Sequence, residues 1–280
     1  MRTLVVNADD FGFTRDVNSG IIEAHRKGIL TATTLMANGA AFDDALLLAE
    51  EHPTLDIGVH LQMVQGESVL QPGRALPPSP AALIAEILRN RWNIFDELNA
   101  QIQKVLAAGI MPTHLDTHKH THLLPPVLDA VARLSQQYSI PWVRTPFDFP
   151  LPGKQAKASI RLTSFAMRTM RGHFRRVLSR HGACSTDHFT GYAWTGNYTA
   201  ADLIYLIQHL PEGSTELMTH PGHLGPELLR ANTRLKESRN QELVALTDPR
   251  VREALIAAGV QLGGYRILNG MRQNDPKSRS

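Results

Sequence analysis

Asn7-Ala8-Asp9-Asp10-Phe11-Gly12 follows directly on the apolar run Leu4-Val5-Val6, so two adjacent carboxylates stand at the end of a predicted first β-strand. In parallel α/β architectures the C-terminal strand ends carry the chemistry, and acids there put charge where packing alone does not require it. Neighbouring strand residues point to opposite faces, so the two acids need different tasks or a backbone that turns between them. Gly12 is the residue expected to allow that turn. The plain alternative is that one of the pair caps the next helix.

Three further segments bring imidazoles to the same kind of position. Asp56-Ile57-Gly58-Val59-His60-Leu61 reads as a short strand with a histidine near its end, and the stretch from His114 to His122 holds four histidines and Asp116. Even-numbered residues of an extended chain share one face, so His114, Asp116, His118 and His120 are expected to converge, before Pro125 and Pro126 open a helix. Leu217-Met218-Thr219-His220-Pro221-Gly222-His223 closes a fourth apolar run with His220 and a Pro-Gly turn. Taken singly, His60 reads as a packed histidine, the His tract as a surface accident, and Asp116 as a residue that closes a strand. Together, Asp, His, His and His at four strand ends suit a metal centre: three protein ligands leave a position for water, and a remaining acid and histidine handle protons. Imidazole with carboxylate suits Zn²⁺, Fe²⁺, Co²⁺ or Ni²⁺, and Mg²⁺ where water completes the shell.

Strands are predicted near 3–7, 31–36, 56–62, 113–117, 141–144, 186–190 and 214–219. Helical patterns are predicted over 17–27, 40–51, 80–90, 95–108, 126–137, 200–210 and 241–246. Such alternation predicts a parallel sheet, and about seven strands predict a single-domain, distorted (β/α) barrel over 1–270 with a polar tail at 271–280. The 280 residues, 42% hydrophobic and 20% charged, are enough for one substantial core. No apolar run reaches the roughly 18 residues of a membrane span. Asp9 and Asp10 interrupt the first apolar run before it could serve as a signal peptide, and the single Cys184 has no intrachain partner. A cytoplasmic location is the expectation.

In its four ordered motifs the chain resembles the YdjC/ChbG family of carbohydrate deacetylases. The resemblance rests on Asn7-Ala8-Asp9-Asp10-Phe11-Gly12, Gly58-Val59-His60, His114-Leu115-Asp116-Thr117-His118 and Thr219-His220-Pro221-Gly222-His223. It implies Asp10, His60 and His118 as ligands of one divalent ion, Mg²⁺ or Zn²⁺, Asp9 as general base and His220 as acid or transition-state stabiliser. Asp116 and His122 are expected behind these ligands, where they would orient them. Lys119 stands where relatives often carry another histidine. The pattern is most similar to the hopanoid biosynthesis-associated deacetylases, which implies an N-acetylated amino sugar on a lipid head group as substrate.

One stretch departs from the even mixing of charge. Between Phe149 and Thr186 lie Lys154, Lys157, Arg161, Arg168, Arg171, Arg175, Arg176 and Arg180 without any Asp or Glu. An outer helix with a solvated basic face is one reading; peripheral contact of 154–180 with the inner face of an anionic membrane is the sharper one. Nucleic acid is not expected, because no recognition motif accompanies the basic run. A homo-oligomer is compatible with the sequence. Two other functions compete with deacetylation: a two-carboxylate barrel glycosidase, which does not need the histidines, and a noncatalytic sugar- or metal-binding protein.

Overall fold

The computed structural model describes residues 1–151 and 170–274. Among the described residues eight parallel strands form one sheet: β1 (Arg2–Phe11), β2 (Ala32–Leu35), β3 (Asp56–Leu61), β4 (His114–Thr117), β5 (Trp142–Val143), β6 (His188–Thr190), β7 (Gly213–Thr219) and β8 (Val260–Leu262). The order is β5-β4-β3-β2-β1-β7-β6, and β8 pairs with the first residues of β1. Isolated parallel bridges, Trp142 with Cys184 and Asp148 with Phe189, bring the β5 and β6 edges together, so the sheet curls into the distorted barrel expected from sequence. The eighth strand lies outside the sequence expectation. At three residues it is too short to show alternation.

Parallel neighbours need crossovers, which are mostly helical. The helices are α1 (Arg15–Lys27), α2 (Phe42–Glu51), α3 (Pro80–Leu88), α4 (Ile94–Ala107), α5 (Pro125–Gln137), α6 (described over 170–180), α7 (Ala200–Gln208), α8 (Pro226–Arg230), α9 (Glu237–Thr247), α10 (Pro249–Ala257) and α11 (Tyr265–Asn274). Local chemistry starts several of them. The Thr14 hydroxyl accepts from the Val17 N–H at the head of α1, Ser79 does the same for Ala82 ahead of Pro80 in α3, and Thr199 and Asp202 form a reciprocal capping box on α7. Each such cap contributes about 1 kcal/mol. α9 starts before the predicted 241 because Glu237-Ser238-Arg239-Asn240 carries no apolar periodicity to mark it. α11 runs to Asn274, past the predicted boundary at 270.

Alternation along the strands separates two environments. Leu4, Val6 and Ala8 of β1, Ile57, Val59 and Leu61 of β3, Leu115 of β4 and Leu217 of β7 join the large apolar core beneath the helices. The residues between them point into the barrel. Its base is apolar, with Val5, Ala32, Trp142, Tyr265 and Leu268 packed together. Above that layer the inward residues turn polar: Asn7, Asp9, Thr34, His60, His114, Asp116 and Glu216, all buried. Gly58 makes room for them, since a Cβ there would stand 2.7 Å from Nδ1 of the His114 ring.

The basic stretch is described from residue 170 onward; Lys154, Lys157, Arg161 and Arg168 lie outside the described residues. Within α6, Phe174 and Leu178 are buried in the core while Arg175, Arg176 and Arg180 are exposed. Among the described residues no helix is long and apolar enough to cross a membrane.

Candidate functional site

The two adjacent carboxylates reach the same side of the sheet because β1 is irregular where they occur. Its register against β2 shifts between Ala8 and Phe11, and Asp10 has φ 71°. The turn is therefore made at Asp10 itself, and Gly12, with φ 92°, continues it. This corrects the expectation that Gly12 alone provides it. A left-handed Asp is tolerated because its short polar side chain finds local partners. Asn18 of α1 secures the turn: its Oδ1 accepts from the Gly12 N–H at 2.6 Å, and its Nδ2 donates to the Ala41 carbonyl at 3.0 Å.

Asp10 then meets histidines from two other strand ends. Its Oδ1 lies 3.4 Å from His60 Nε2 and 3.3 Å from His118 Nδ1, and the two imidazole nitrogens are 3.3 Å apart. Ligands bonded to a common ion at about 2.0–2.1 Å adopt such spacings. Oδ1 is buried and accepts no hydrogen bond, whereas Oδ2 pairs with Arg239. A buried acceptor without a donor calls for an explanation, and a cation among these three atoms supplies one. The other faces of the rings are held. Asp116 Oδ1 accepts from His60 Nδ1 at 2.7 Å, with Thr34 Oγ1 at 3.2 Å from the same nitrogen, and His118 Nε2 lies 3.2 Å from Gln65 Oε1. These residues fit a divalent ion by donor type, spacing and support.

Asp9 is bound differently. Arg144, directly after β5, donates from Nη1 and Nη2 to the two oxygens of Asp9 at 2.8 and 2.7 Å. The same guanidinium reaches Asp116 Oδ2 and Glu216 Oε1, each at 2.6 Å. Burial works against the charge of Asp9, but Arg144 beside it outweighs burial and holds the carboxyl well below the usual range. Asp10 is likewise held down against burial, by Arg239 and His118. For Glu216 burial prevails and its pKa is raised. Four carboxylates, Asp9, Asp10, Asp116 and Glu216, thus face two guanidiniums, Arg144 and Arg239, and positive charge is in deficit.

His60 answers part of that deficit. Burial disfavours its charged form, yet Asp116, Asp9 and Asp10 outweigh burial and hold its pKa up at about 9. A pKa raised above the unfolded value gives stability that is fully present below about 6.5 and lost as pH rises through about 9. Metal-free protein is therefore expected to melt at progressively lower temperature between those limits, a decline that His60→Gln should remove. Ion uptake should release a proton from His60 below pH 9 and weaken as the solution is acidified. Thermal melts across pH and titration calorimetry in buffers of different ionisation enthalpy measure both. A flat stability profile over that window would remove the charge from His60.

His220 closes the other side. Its Nε2 lies 3.8 Å from Asp9 Oδ2, and its backbone N–H donates to Glu242 Oε2 at 2.6 Å. Burial lowers the His220 pKa to about 4 against the pull of Asp9 and Asp10, so the ring is neutral at neutral pH. Its Nδ1 is buried without a partner. Glu242 also accepts from the Gly196 N–H at 2.7 Å, and burial raises its own pKa to about 7. Asp9, Asp10, His60, His118, His220 and Arg239 open onto one cleft of about 1210 Å³, walled by Phe13, Met36, Tyr192, Met218 and Leu235 and rimmed by Lys119, Arg230 and Arg234. That volume exceeds the roughly 300–1,000 Å³ usual for small-molecule sites.

Of the residues singled out from sequence, Asp9, Asp10, His60, His118 and His220 all line this cleft. Asp116 lies directly behind His60. His122 lies deeper: its Nδ1 pairs with the Thr117 hydroxyl and its Nε2 donates to the Arg144 carbonyl at 3.1 Å, so it touches the support of Asp9 rather than Asp10, His60 or His118. His114 is in the barrel, 2.9 Å from Asn7 Oδ1 and stacked on Tyr265. His120 follows Lys119, and both have left-handed φ, which ends the strand alternation and turns His120 toward Tyr192. Arg144, Glu216, Arg239, Glu242 and Gln65 escaped sequence reasoning. Glu216 carried a readable signal, an acid on the inward parity of an otherwise buried strand. Arg239 sits in a polar helix where nothing distinguishes it.

Known proteins are similar to this chain in sequence and in fold. Residues 3–257 match the family described as YdjC-like protein. A carbohydrate deacetylase of Brevibacillus brevis is 32% identical over 273 residues, covering 95% of this chain and 99% of the relative. A chitooligosaccharide deacetylase of Proteus mirabilis is 29% identical, covering 95% and 98%. A crystal structure of a protein from Enterococcus faecalis superposes with a TM-score of 0.75 at 25% identity, covering 95% of this chain and 98% of that one.

Proposed function

The chain belongs to the YdjC-like family, and from that premise we propose that it is a carbohydrate deacetylase, a metal-dependent hydrolase that removes the N-acetyl group of an N-acetylated amino sugar. The observation that carries this reading is the triangle of Asp10 Oδ1, His60 Nε2 and His118 Nδ1 with the Asp9–His220 pair beside it, open to one cleft. Relatives named as carbohydrate and chitooligosaccharide deacetylases support the substrate class.

Asp10, His60 and His118 would hold the divalent ion. Its chemistry, when bound, is to acidify water and to polarise the acetyl carbonyl. The rest falls to side chains. Asp9 accepts a proton from the attacking water; Arg144 fixes both its oxygens, so the acceptor is aimed before substrate arrives. Because Arg144 keeps Asp9 weakly basic, the proton does not stay there. His220 Nε2, 3.8 Å from Asp9 Oδ2, is neutral and receives the proton through one bridging water. His220 then protonates the amine nitrogen as the C–N bond breaks, which an amine needs in order to leave. The products are acetate and the free amino sugar.

The glycosidase alternative loses support on protonation grounds. It needs a carboxyl in the cleft kept protonated as general acid; Arg144 and Arg239 hold Asp9 and Asp10 in the ionised form, and Glu216 and Glu242, whose pKa values burial raises, do not line the cleft. A binding protein would be better served by a closed, four-ligand metal site than by three donors at a cleft floor.

The finer reading is that the acetylated sugar is a lipid head group, as in hopanoid glycolipids, reached from the cytoplasmic face. Its supports are the sequence resemblance and the exposed Arg175, Arg176 and Arg180 outside a buried Phe174 and Leu178. Mass spectrometry of chitooligosaccharides and N-acetylglucosaminyl lipids incubated with metal-loaded protein tests both levels. Loss of one acetyl group from either class is expected, and from the lipid preferentially if the finer reading holds. Alanine at Asp10, His60 or His118 should abolish that loss together with stoichiometric metal binding. Unchanged metal affinity in all three variants, or cleavage of a glycosidic bond, would sink the proposal.

A further inference from the structure

His60 and His118 face the metal position with different nitrogens, and each must keep its proton on the other one. For His60 the partner is a carboxylate, Asp116, at 2.7 Å. For His118 it is a neutral amide, Gln65 Oε1, at 3.2 Å. Because that oxygen can only accept, it favours the His118 tautomer with the proton on Nε2 and a free lone pair on Nδ1, against Asp10 Oδ1, which lies 3.3 Å from Nδ1 and draws the proton there when no ion is bound.

Gln65 is presented by a loop, 62–77, that also forms part of the cleft wall through Gln62 and Gly66. The loop makes an antiparallel excursion, Glu67 with Ala75, and turns through left-handed Gln65 and Gly66, with φ 60° and 74°. Two fully buried polar residues of α4 tie it down. Gln101 makes a reciprocal pair with the backbone of Gln62, both bonds at 2.8 Å. Glu97 receives the Ser68 hydroxyl and the N–H groups of Val69 at 3.0 Å and Leu70 at 3.3 Å, and Gln101 Nε2 at 2.8 Å. A carboxylate with no solvent exposure that collects loop donors holds a surface segment much as a cap holds a helix end.

We propose that Gln65 is a positioning residue that sets the tautomer of His118 toward the metal position, and that Glu97 with Gln101 holds the loop that presents it. The amide has a specific consequence. A carboxylate would add a further negative charge beside Asp10 and would tie the loop to the ion. Gln65 instead orients the ring through a neutral bond that adds no charge beside Asp10.

The inference rests on the metal reading of Asp10, His60 and His118, and the experiment separates the two. Nitrogen-15 NMR of the histidine rings in metal-free protein reads the His118 tautomer, and calorimetry with Zn²⁺ reads affinity. Gln65→Ala should shift His118 away from the Nε2–H tautomer and weaken Zn²⁺ by about 10-fold, the lower end of the range for groups that orient a ligand. Gln65→Glu should restore the tautomer and recover or exceed wild-type affinity. Glu97→Ala should weaken Zn²⁺ in the wild-type background and add little once Gln65 is Ala, since both act through one contact. Circular dichroism checks that each variant is folded. An unchanged His118 tautomer in Gln65→Ala overturns the role of Gln65, and full additivity of the two alanine variants overturns the role of Glu97. A wild type that binds no Zn²⁺ would instead overturn the ligand assignment.

Discussion

Asp9→Asn is expected to give a folded protein that keeps its metal ion and releases acetate about 10²–10⁴ times more slowly, the usual loss for a positioned acid or base. The fold survives because Arg144 retains Asp116 and Glu216, each at 2.6 Å, and because an Asn at position 9 can still accept from the Arg144 guanidinium. Metal binding should survive, because the proposed ligands Asp10, His60 and His118, whose donor atoms lie together, are untouched. His220→Ala should behave similarly, since its Nε2 is aimed at Asp9. Acetate release and metal content, measured on the same preparations, check the pair. Normal turnover in the Asp9 variant would remove it from the mechanism, and loss of metal in the His220 variant would make His220 a ligand.

Arg144→Ala should cost more stability than a substitution at Asp9, His220 or Gln65. The guanidinium is buried and serves Asp9, Asp116 and Glu216 at once. Removing one partner of a buried ion pair costs about 3–5 kcal/mol, because it leaves an uncompensated charge in a poorly polarisable interior. Three carboxylates would lose their cation together, so the upper end of that range is expected. Arg144→Lys should recover only part of it, since an ammonium cannot reproduce the planar, two-point grip on Asp9. Urea denaturation of metal-free protein measures the loss. A midpoint within experimental error of wild type would show that the barrel interior neutralises these acids by another route.

Both variants act on one buried cluster, which also explains the order of its parts. Arg144 orients Asp9 and at the same time holds Asp116 against His60. Damage at position 144 should therefore reach proton transfer and the metal ligands together, whereas damage at position 9 should reach proton transfer alone.

How far the molecule is legible from its residues follows from the range of the interactions involved. Strand and helix alternation comes from local hydrophobic periodicity, so the parallel barrel was legible, as were the strand ends carrying Asp9, Asp10, His60, His118 and His220. Their gathering at one end also follows, because parallel strands place all their C-terminal ends together. Elements with little apolar pattern were not legible: β8 is Val260-Gln261-Leu262 with a polar, exposed centre, and α9 begins with a polar turn. The conformation of Asp10 could not be read either. Its left-handed φ and the register shift beside it depend on pairing with β2, and only they turn two neighbouring side chains to one side of the sheet. The sequence by itself determined which chemical groups stand at the strand ends. The tertiary structure alone decided how they are tuned, because Arg144 lies 135 residues from Asp9 and Arg239 lies 229 from Asp10. Charge neutralisation in a buried site acts through space between distant segments and leaves no local periodicity in the chain.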